Sequence, residues 1–178
     1  ERDIVVSGRK GADYSNFPEV RDYGVNGLAV SSYSIEEPTN QYIHAMYSFI
    51  NDKGLAMGES TCSPDRNSER AMTARKYFNE NEGIWDCYML QDAALELCST
   101  AREAVEFMGA KITEEGWNGY PETINITDGT ETWVLEAYGA NIWVAIRVPD
   151  DSVFVAANRS RVDVFVENDP ENYLYPSY

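Results

Sequence analysis

The sequence is poor in histidine, cysteine and positive charge. It contains one histidine, His44, and three cysteines in 178 residues, and its 14 lysines and arginines stand against 30 aspartates and glutamates. A single histidine argues against His-based triads and His-rich metal sites. The cysteines cannot all pair within one chain and form no CxxC motif, so we expect neither a disulfide framework nor a zinc site.

Charge and hydropathy restrict the partners of the protein. The formal net charge is −16 and the isoelectric point is about 4.3, so the surface repels phosphate backbones and we expect no nucleic-acid partner. No run approaches the roughly 18 apolar residues of a membrane span. The opening ERDIVVSGRKG lacks the apolar core of a signal peptide. We expect a soluble protein, cytoplasmic or secreted, that needs no membrane, metal or cofactor.

The first part of the chain predicts strands. Short apolar runs that are rich in β-branched and aromatic residues and bounded by turn residues are typical of strands. Residues 51–54, between two of these runs, have the composition of a hairpin turn. We predict strands over residues 4–7, 25–33, 42–50 and 54–59.

The middle of the chain changes to a helical period. Apolar residues recur at three- and four-residue steps over residues 87–98, which predicts an amphipathic helix. Thr100 stands three residues before Glu103, which is the spacing of a capping box. This spacing predicts the start of a second helix, which Gly109 or Gly116 closes.

Strands return after the helices. Tight-turn spacers suggest that the last three apolar runs form an antiparallel meander, whereas the final ENDPENYLYPSY has no periodicity and resembles a linker or a cut end. Strands, two helices and strands again predict one α+β domain over residues 1–178, a sandwich rather than a parallel βαβ fold. The five predicted strands are ETINITD, ETWVLEAYG, NIWVAIRV, SVFVAAN and RVDVFV.

Four segments in this order resemble a known family: SFINDKGLAMGESTCS, STAREAVEFMG, TETWVLEAYGANIWVAIRVPDDSVFVAANRSRV and DPENYLYPS. They are similar to the bacterial cysteine dipeptidases, relatives of the secernins within the N-terminal-nucleophile hydrolases, over about residues 35–178. The resemblance implies an αββα sandwich of two stacked antiparallel sheets with helices outside. It also implies hydrolysis of amide bonds in dipeptides or similar small substrates. In that family a cysteine that begins the mature chain is the nucleophile, and its own α-amino group is the base.

The sequence departs from this family pattern at its start. Residue 1 is Glu1 and not cysteine, and the family's enzymes are much longer. We therefore expect a fragment or processed piece of a longer hydrolase, with an incomplete sandwich and the nucleophile on a companion segment. A homo-oligomer stays open. One alternative is a catalytically inactive relative that serves as a binding or structural module, and another is an acylase acting on non-peptide amides.

The resemblance suggests site residues in two segments. Asn158 ends the run VFVAAN, where related amide hydrolases place an asparagine whose N–H faces the developing oxyanion. Glu59, Ser60 and Thr61 end the strand after the hairpin turn, and we predict that they line the substrate pocket. Glu59 would bind the free α-amino group of a dipeptide. The alternatives are an ordinary asparagine before a turn and a polar strand end, while Asn51 reads as a structural turn residue.

The cysteines leave a second catalytic hypothesis. Cys62 is the thiol nearest the motif, and His44 is the only imidazole available as its base. A hairpin about residues 51–53 would make His44 a near cross-strand partner of Glu59 or Ser60 and bring it within reach of Cys62. The other two cysteines lie on the apolar side of the first helix and are expected in the core.

Overall fold

The structure is a computed structural model that describes residues 5–6, 40–44, 47–62 and 83–176. The predicted α+β class is confirmed, because these residues form two helices, a five-stranded antiparallel sheet and a two-stranded sheet. None of the helices in these ranges is long and apolar enough to cross a membrane. In chain order the elements are β1 (Val5–Val6), β2 (Ile43–His44), β3 (Ala56–Thr61), α1 (Cys87–Leu97), α2 (Ala101–Glu115), β4 (Glu122–Thr127), β5 (Thr132–Gly139), β6 (Ile142–Arg147) and β7 (Tyr173–Leu174). The five-stranded sheet has the order β3-β4-β5-β6-β7, and β1 and β2 form the two-stranded sheet.

The sheet has two different faces, because side chains alternate along each strand. One face packs against α2: the Trp143 ring nitrogen donates to Thr113 Oγ1 at 2.9 Å. This face supplies the strand residues of the core, which are Met57, Ile124, Ile126, Trp133, Leu135, Ala137, Trp143 and Ala145. The face turned away from the helices carries four register partners on adjacent strands. These four residues, here called the cross-strand row, are Ser60, Thr123, Glu136 and Val144.

Side-chain caps begin both helices. Asp86 caps α1 by accepting a hydrogen bond from the Met89 backbone N–H at 2.8 Å. The predicted capping box of α2 is confirmed: Thr100 accepts from the Glu103 N–H, and the Glu103 carboxylate accepts from the Thr100 N–H. These contacts satisfy backbone donors that a helix start leaves without an intrahelical partner.

The two glycines proposed as the end of the second helix have different roles. Gly116 is the C-cap, with φ of 82°, a conformation that glycine adopts without the steric cost of a Cβ. Gly109 lies inside α2, where a Cβ would collide with the ring of Trp143. The absence of a side chain at Gly109 therefore lets the helix approach the sheet closely.

Asn51 organises the predicted hairpin turn. Its side-chain Oδ1 accepts hydrogen bonds from the N–H groups of Lys53 and Leu55, both at 3.0 Å. Its Nδ2 donates to the carbonyls of Leu95 and Cys98, both at 2.9 Å. The side chain is buried and joins the turn to the end of α1, which agrees with its interpretation as a structural residue.

Two strands predicted near the hairpin differ in their outcome. The strand predicted over residues 54–59 is confirmed as β3. Of the single strand predicted over residues 42–50, only Ile43–His44 is a strand, β2. One continuous strand is wrong, because the Ile43 N–H donates to the Ile50 carbonyl at 2.9 Å and an extended strand cannot bring these two residues together. The strand predicted over residues 25–33 lies outside the described residues.

The first three of the five strands predicted after the helices are confirmed. They are ETINITD, ETWVLEAYG and NIWVAIRV, which form β4, β5 and β6. The predictions of strands in SVFVAAN and RVDVFV are wrong, and so is the interpretation of the tail as a linker. The tail supplies β7, in which Tyr173 lies opposite Ile146 of β6. A strand edge accepts one neighbour, and β7 takes that place on β6. A turn in which the Ser152 N–H donates to the Pro149 carbonyl at 2.9 Å follows β6.

We expect the Asn51→Ala substitution to destabilise the fold by about 2–4 kcal/mol, because it leaves buried backbone groups without partners. Chemical denaturation monitored by circular dichroism measures this loss. Asn51→Asp keeps the two accepted bonds but cannot donate to Leu95 and Cys98, so it should also be destabilising. Asp52→Ala, an exposed change in the same turn, is the matched control. Equal stability of Asn51→Ala and this control would contradict the structural role.

Candidate functional site

Two of the predicted site segments, which are far apart in sequence, meet in the structure. The Asn158 side-chain Nδ2 donates to the Thr61 carbonyl at 3.1 Å, across 97 positions of the chain. Asn158 lies at the tip of a tight turn in which the Arg159 N–H donates to the Ala157 carbonyl at 2.6 Å. The turn therefore presents the Asn158 amide at the C-terminal end of β3.

The segment after this turn is held by a buried carboxylate. Glu136 is 0% exposed in the middle of β5. Its carboxylate accepts from the Ser160 hydroxyl at 2.5 Å and the Arg161 N–H at 2.6 Å, and the Val162 N–H lies 3.3 Å from both of its oxygens. The Tyr138 hydroxyl donates to the same carboxylate at 2.5 Å. These donors replace the hydrogen bonds to water that a carboxylate loses when it is buried.

The network continues to Cys62. The Thr123 hydroxyl donates to Glu136 at 3.1 Å, and the Cys62 Sγ lies 3.0 Å from the Thr123 oxygen. Because a threonine hydroxyl has one proton and Glu136 accepts it, the Cys62 S–H is the donor in the second contact. A hydrogen-bonded path thus runs from the end of β3, through the cross-strand row, to the segment after Asn158.

The surroundings of Cys62 keep it protonated. Burial raises the pKa of the Cys62 thiol to about 11, and nearby glutamates add to this effect. Burial also raises the pKa of Cys87, and raises that of Cys98 to about 12. A thiol is nucleophilic as its thiolate, so none of the three is activated near neutral pH. The side chain of His44, the other half of the Cys62 hypothesis, lies outside the described residues, and its backbone pairs with Val5 in β1.

The structure divides the three predicted pocket residues between the two faces of β3. Ser60 belongs to the cross-strand row, whereas Glu59 lies opposite Ile124 on the face toward the helices. Thr61, two residues after Glu59, points to the same face as Glu59. Within the described residues β3 is an edge strand of the five-stranded sheet, so a pocket that touches all three would wrap around this edge.

Glu59 has a second carboxylate as its neighbour. Glu122 lies opposite Thr61 in the register and is 6% exposed. Burial, a hydrogen bond with Glu59 and repulsion from Glu59 raise the pKa of Glu122 to about 9, while a hydrogen bond with Thr61 acts in the opposite direction. Near pH 7 Glu122 therefore holds a proton, and the pair formed by Glu59 and Glu122 carries less than two negative charges.

Sequence reasoning missed Glu122, Thr123 and Glu136. Glu136 interrupts the apolar run Trp133–Ala137, and a lone carboxylate in such a run is a signal of a buried, hydrogen-bonded acid. Thr123 and Glu122 offer no comparable signal, because their importance depends on which strand lies beside them. Within the described residues, no group of three or more histidines, cysteines, aspartates or glutamates is arranged to hold a metal ion.

Comparison with known proteins shows the family. The chain matches the model of "Peptidase family C69" over residues 26–177. It is 33% identical over 128 residues to "Probable dipeptidase B" of Lactococcus lactis subsp. lactis (strain IL1403), which covers 72% of this chain and 26% of that protein. The family's description and the relative's name both indicate a peptidase class. The chain belongs to peptidase family C69, and the predicted resemblance is confirmed.

Two further relatives are similar. "Probable dipeptidase" of Latilactobacillus sakei is 31% identical over 119 residues, covering 62% of this chain and 25% of that protein. "Probable dipeptidase" of Salmonella dublin is 29% identical over 125 residues, covering 70% of this chain and 28% of that protein. The chain thus spans about a quarter of the length of these curated relatives.

We expect the raised pKa of Glu122 to make stability fall as pH rises. Between about pH 4.5 and pH 9 the unfolded state loses this proton while the folded state keeps it, so the unfolded state gains relative to the folded one. Above about pH 9 this contribution levels off. Glu122→Gln keeps the shape and removes the titrating group, so it should flatten the decline.

Urea denaturation of the wild-type chain and the variant between about pH 5 and pH 9 measures this difference. Glu171→Gln, a change at an exposed carboxylate, is the matched control and should keep the wild-type slope. If Glu122→Gln and wild type lose stability with identical slopes, Glu122 does not carry a raised pKa.

Proposed function

We propose that this chain is part of a dipeptidase that hydrolyses the amide bond of dipeptides through an N-terminal cysteine nucleophile in the complete enzyme. The observation that carries the proposal is the hydrogen bond from Asn158 to Thr61, which joins the two motif segments in a member of a peptidase family. Relatives named as dipeptidases support the substrate class.

The three cysteines of this sequence are poor candidates for the nucleophile. All three are buried, and all have a raised pKa. A cysteine at the start of a mature chain carries its own base, since an α-amino group has a pKa near 8 and needs no histidine partner. This chemistry suits a protein with a single histidine.

Asn158 is proposed as the oxyanion donor. An asparagine amide has two N–H groups. One of them donates to the Thr61 carbonyl at 3.1 Å and fixes the orientation of the side chain, which leaves the other for the substrate. A donor that is oriented before the reaction stabilises the developing oxyanion without reorganising during the chemical step.

The edge of β3 is proposed as the substrate pocket. Glu59 and Glu122 together are proposed to hold the α-ammonium group of the dipeptide, because a carboxylate pair with a net negative charge attracts a cation. Ser60 and Thr61 would line the same edge from its two faces. No metal or cofactor is part of this proposal.

The αββα sandwich is also part of the proposal. The segment that follows β6 passes the sheet on the side of Glu136, away from the helices, and carries large apolar side chains to the surface. Val153 is 90% exposed and Val155 is 69% exposed. Also exposed in the same segment are Val164, Phe165 and Val166. A second sheet in the complete enzyme would bury these side chains.

We expect Asn158→Ala in the complete enzyme to lower kcat about ten- to a thousandfold, because it removes an oxyanion donor. Steady-state hydrolysis of a dipeptide measures the change, and circular dichroism confirms the intact fold. Asn141→Ala, which changes an exposed asparagine in the turn between β5 and β6, is the control. Unchanged kcat in Asn158→Ala would remove Asn158 from the site.

We expect Glu59→Gln to raise KM for dipeptides and to have little effect on substrates whose amino group is acetylated, since the lost charge pairs only with the ammonium group. Comparing KM for a dipeptide and its N-acetyl form tests this role. Equal effects on both substrates would refute it. Preference of the wild-type enzyme for the acetylated substrate would favour the acylase alternative, and no turnover of either would favour the inactive module.

A further inference from the structure

The described residues contain six lysines and arginines, and two of them differ from the others in their ion pairing. Four form ion pairs with carboxylates on neighbouring positions or strands: Lys53 with Asp52, Arg102 with Glu106, Lys111 with Glu114, and Arg147 with Glu131 and Asp150. Among the same residues, Arg159 and Arg161 form no ion pair within 4.0 Å. Both side chains are exposed.

The described residues contain 19 aspartates and glutamates and six lysines and arginines. An exposed arginine therefore has many potential partners within this part of the chain. Arg159 and Arg161 instead flank Ser160 and lie one and three positions after Asn158. These two residues, here called the arginine pair, closely follow the proposed oxyanion donor in the chain.

The backbone that carries the arginine pair is firmly held. Glu136 accepts hydrogen bonds from the Ser160 hydroxyl and the Arg161 N–H, and Asn158 is tied to Thr61. Glu136 also lies in the centre of β5, so the support is a strand and not a loop. A site with fixed supports loses less entropy when a ligand binds.

We propose that Arg159 and Arg161 bind the C-terminal carboxylate of the substrate. This inference rests on the proposed dipeptidase function and assigns the feature that selects dipeptides among amides. In a dipeptide the carboxylate lies one residue beyond the scissile carbonyl, and adjacent Cα atoms are about 3.8 Å apart. Residues that closely follow the oxyanion donor in the chain are therefore suited to reach this carboxylate, and a guanidinium binds a carboxylate through two parallel N–H donors.

Such a site would make the enzyme selective for substrates of two residues. Glu59 and Glu122, at the edge of β3, would bind the ammonium end, and the arginine pair would bind the carboxylate end. A tripeptide cannot place both charged ends on these groups with a scissile bond at Asn158. The wild-type enzyme should accordingly cleave dipeptides far better than dipeptide amides or tripeptides of the same sequence.

The test compares a dipeptide with the matching dipeptide amide, which has the same scissile bond and no carboxylate. The variants are Arg159→Gln, Arg161→Gln and the double variant in the complete enzyme, with Lys53→Gln in the distant hairpin turn as control. The carboxylate contact is equally present in the ground and transition states, so its loss should raise KM about ten- to a hundredfold for the dipeptide and leave kcat nearly unchanged.

For the dipeptide amide, KM should change less than about twofold in the same variants, since the guanidinium groups have no carboxylate to bind. Arg161→Lys and Arg159→Lys should recover part of the dipeptide affinity through charge alone. The dependence of the dipeptide KM on salt should weaken in the double variant, because screening acts on this ion pair.

Two negative results are distinguishable. In the first, the wild-type enzyme hydrolyses dipeptides while the variants change KM equally for the dipeptide and the dipeptide amide. In that case the arginine pair does not bind the carboxylate, and this inference is overturned while the proposed function stands. If the wild-type enzyme hydrolyses no dipeptide, the proposed function fails and the inference fails with it. Variants that keep the wild-type KM for the dipeptide also overturn the inference.

Discussion

The buried carboxylate of Glu136 is the interaction on which the arrangement of the site depends. A charged group without solvent is tolerated only when donors surround it, and Glu136 collects them from three parts of the chain. Thr123 comes from β4, Tyr138 from β5 itself, and Ser160 from the segment beyond β6. The requirement to satisfy one carboxylate therefore fixes where an otherwise irregular segment lies on the sheet.

The hydrogen bonds around Glu136 also distinguish residues with a structural role from the residue with a proposed catalytic role. Cys62 is part of this network, and its burial keeps the thiol in the protonated form. Asn158 lies outside the network but next to its anchor, with one N–H used for orientation. The Glu136 carboxylate thus supports the segment that carries the proposed oxyanion donor without contacting the donor itself. In many sites the groups that position a reacting group are separate from the groups that react.

Local sequence patterns predicted the elements whose partners are close in the chain. The capping box at Thr100 and the turn at Asn51 depend on neighbours within a few residues, and both predictions are confirmed. The strands predicted in SVFVAAN and RVDVFV have the composition of strands, but strand formation also needs an edge with which to pair. Tyr173 occupies that edge on β6, and the residues near Tyr173 in the sequence give no signal that predicts this pairing. Similarly, β3 is visible as a strand, whereas the closeness of Glu59 and Glu122 follows from its register with β4.

The short strand β7 has a consequence for association between molecules. It covers the outer edge of β6 with only two residues, and the prolines at 170 and 176 stand close on either side of it. Unpaired strand edges are templates for addition of another chain, and short or proline-flanked edge strands blunt this tendency. Within the described residues β7 is therefore an edge strand with two features that disfavour pairing with a strand of another molecule, although its segment resembles a tail in the sequence.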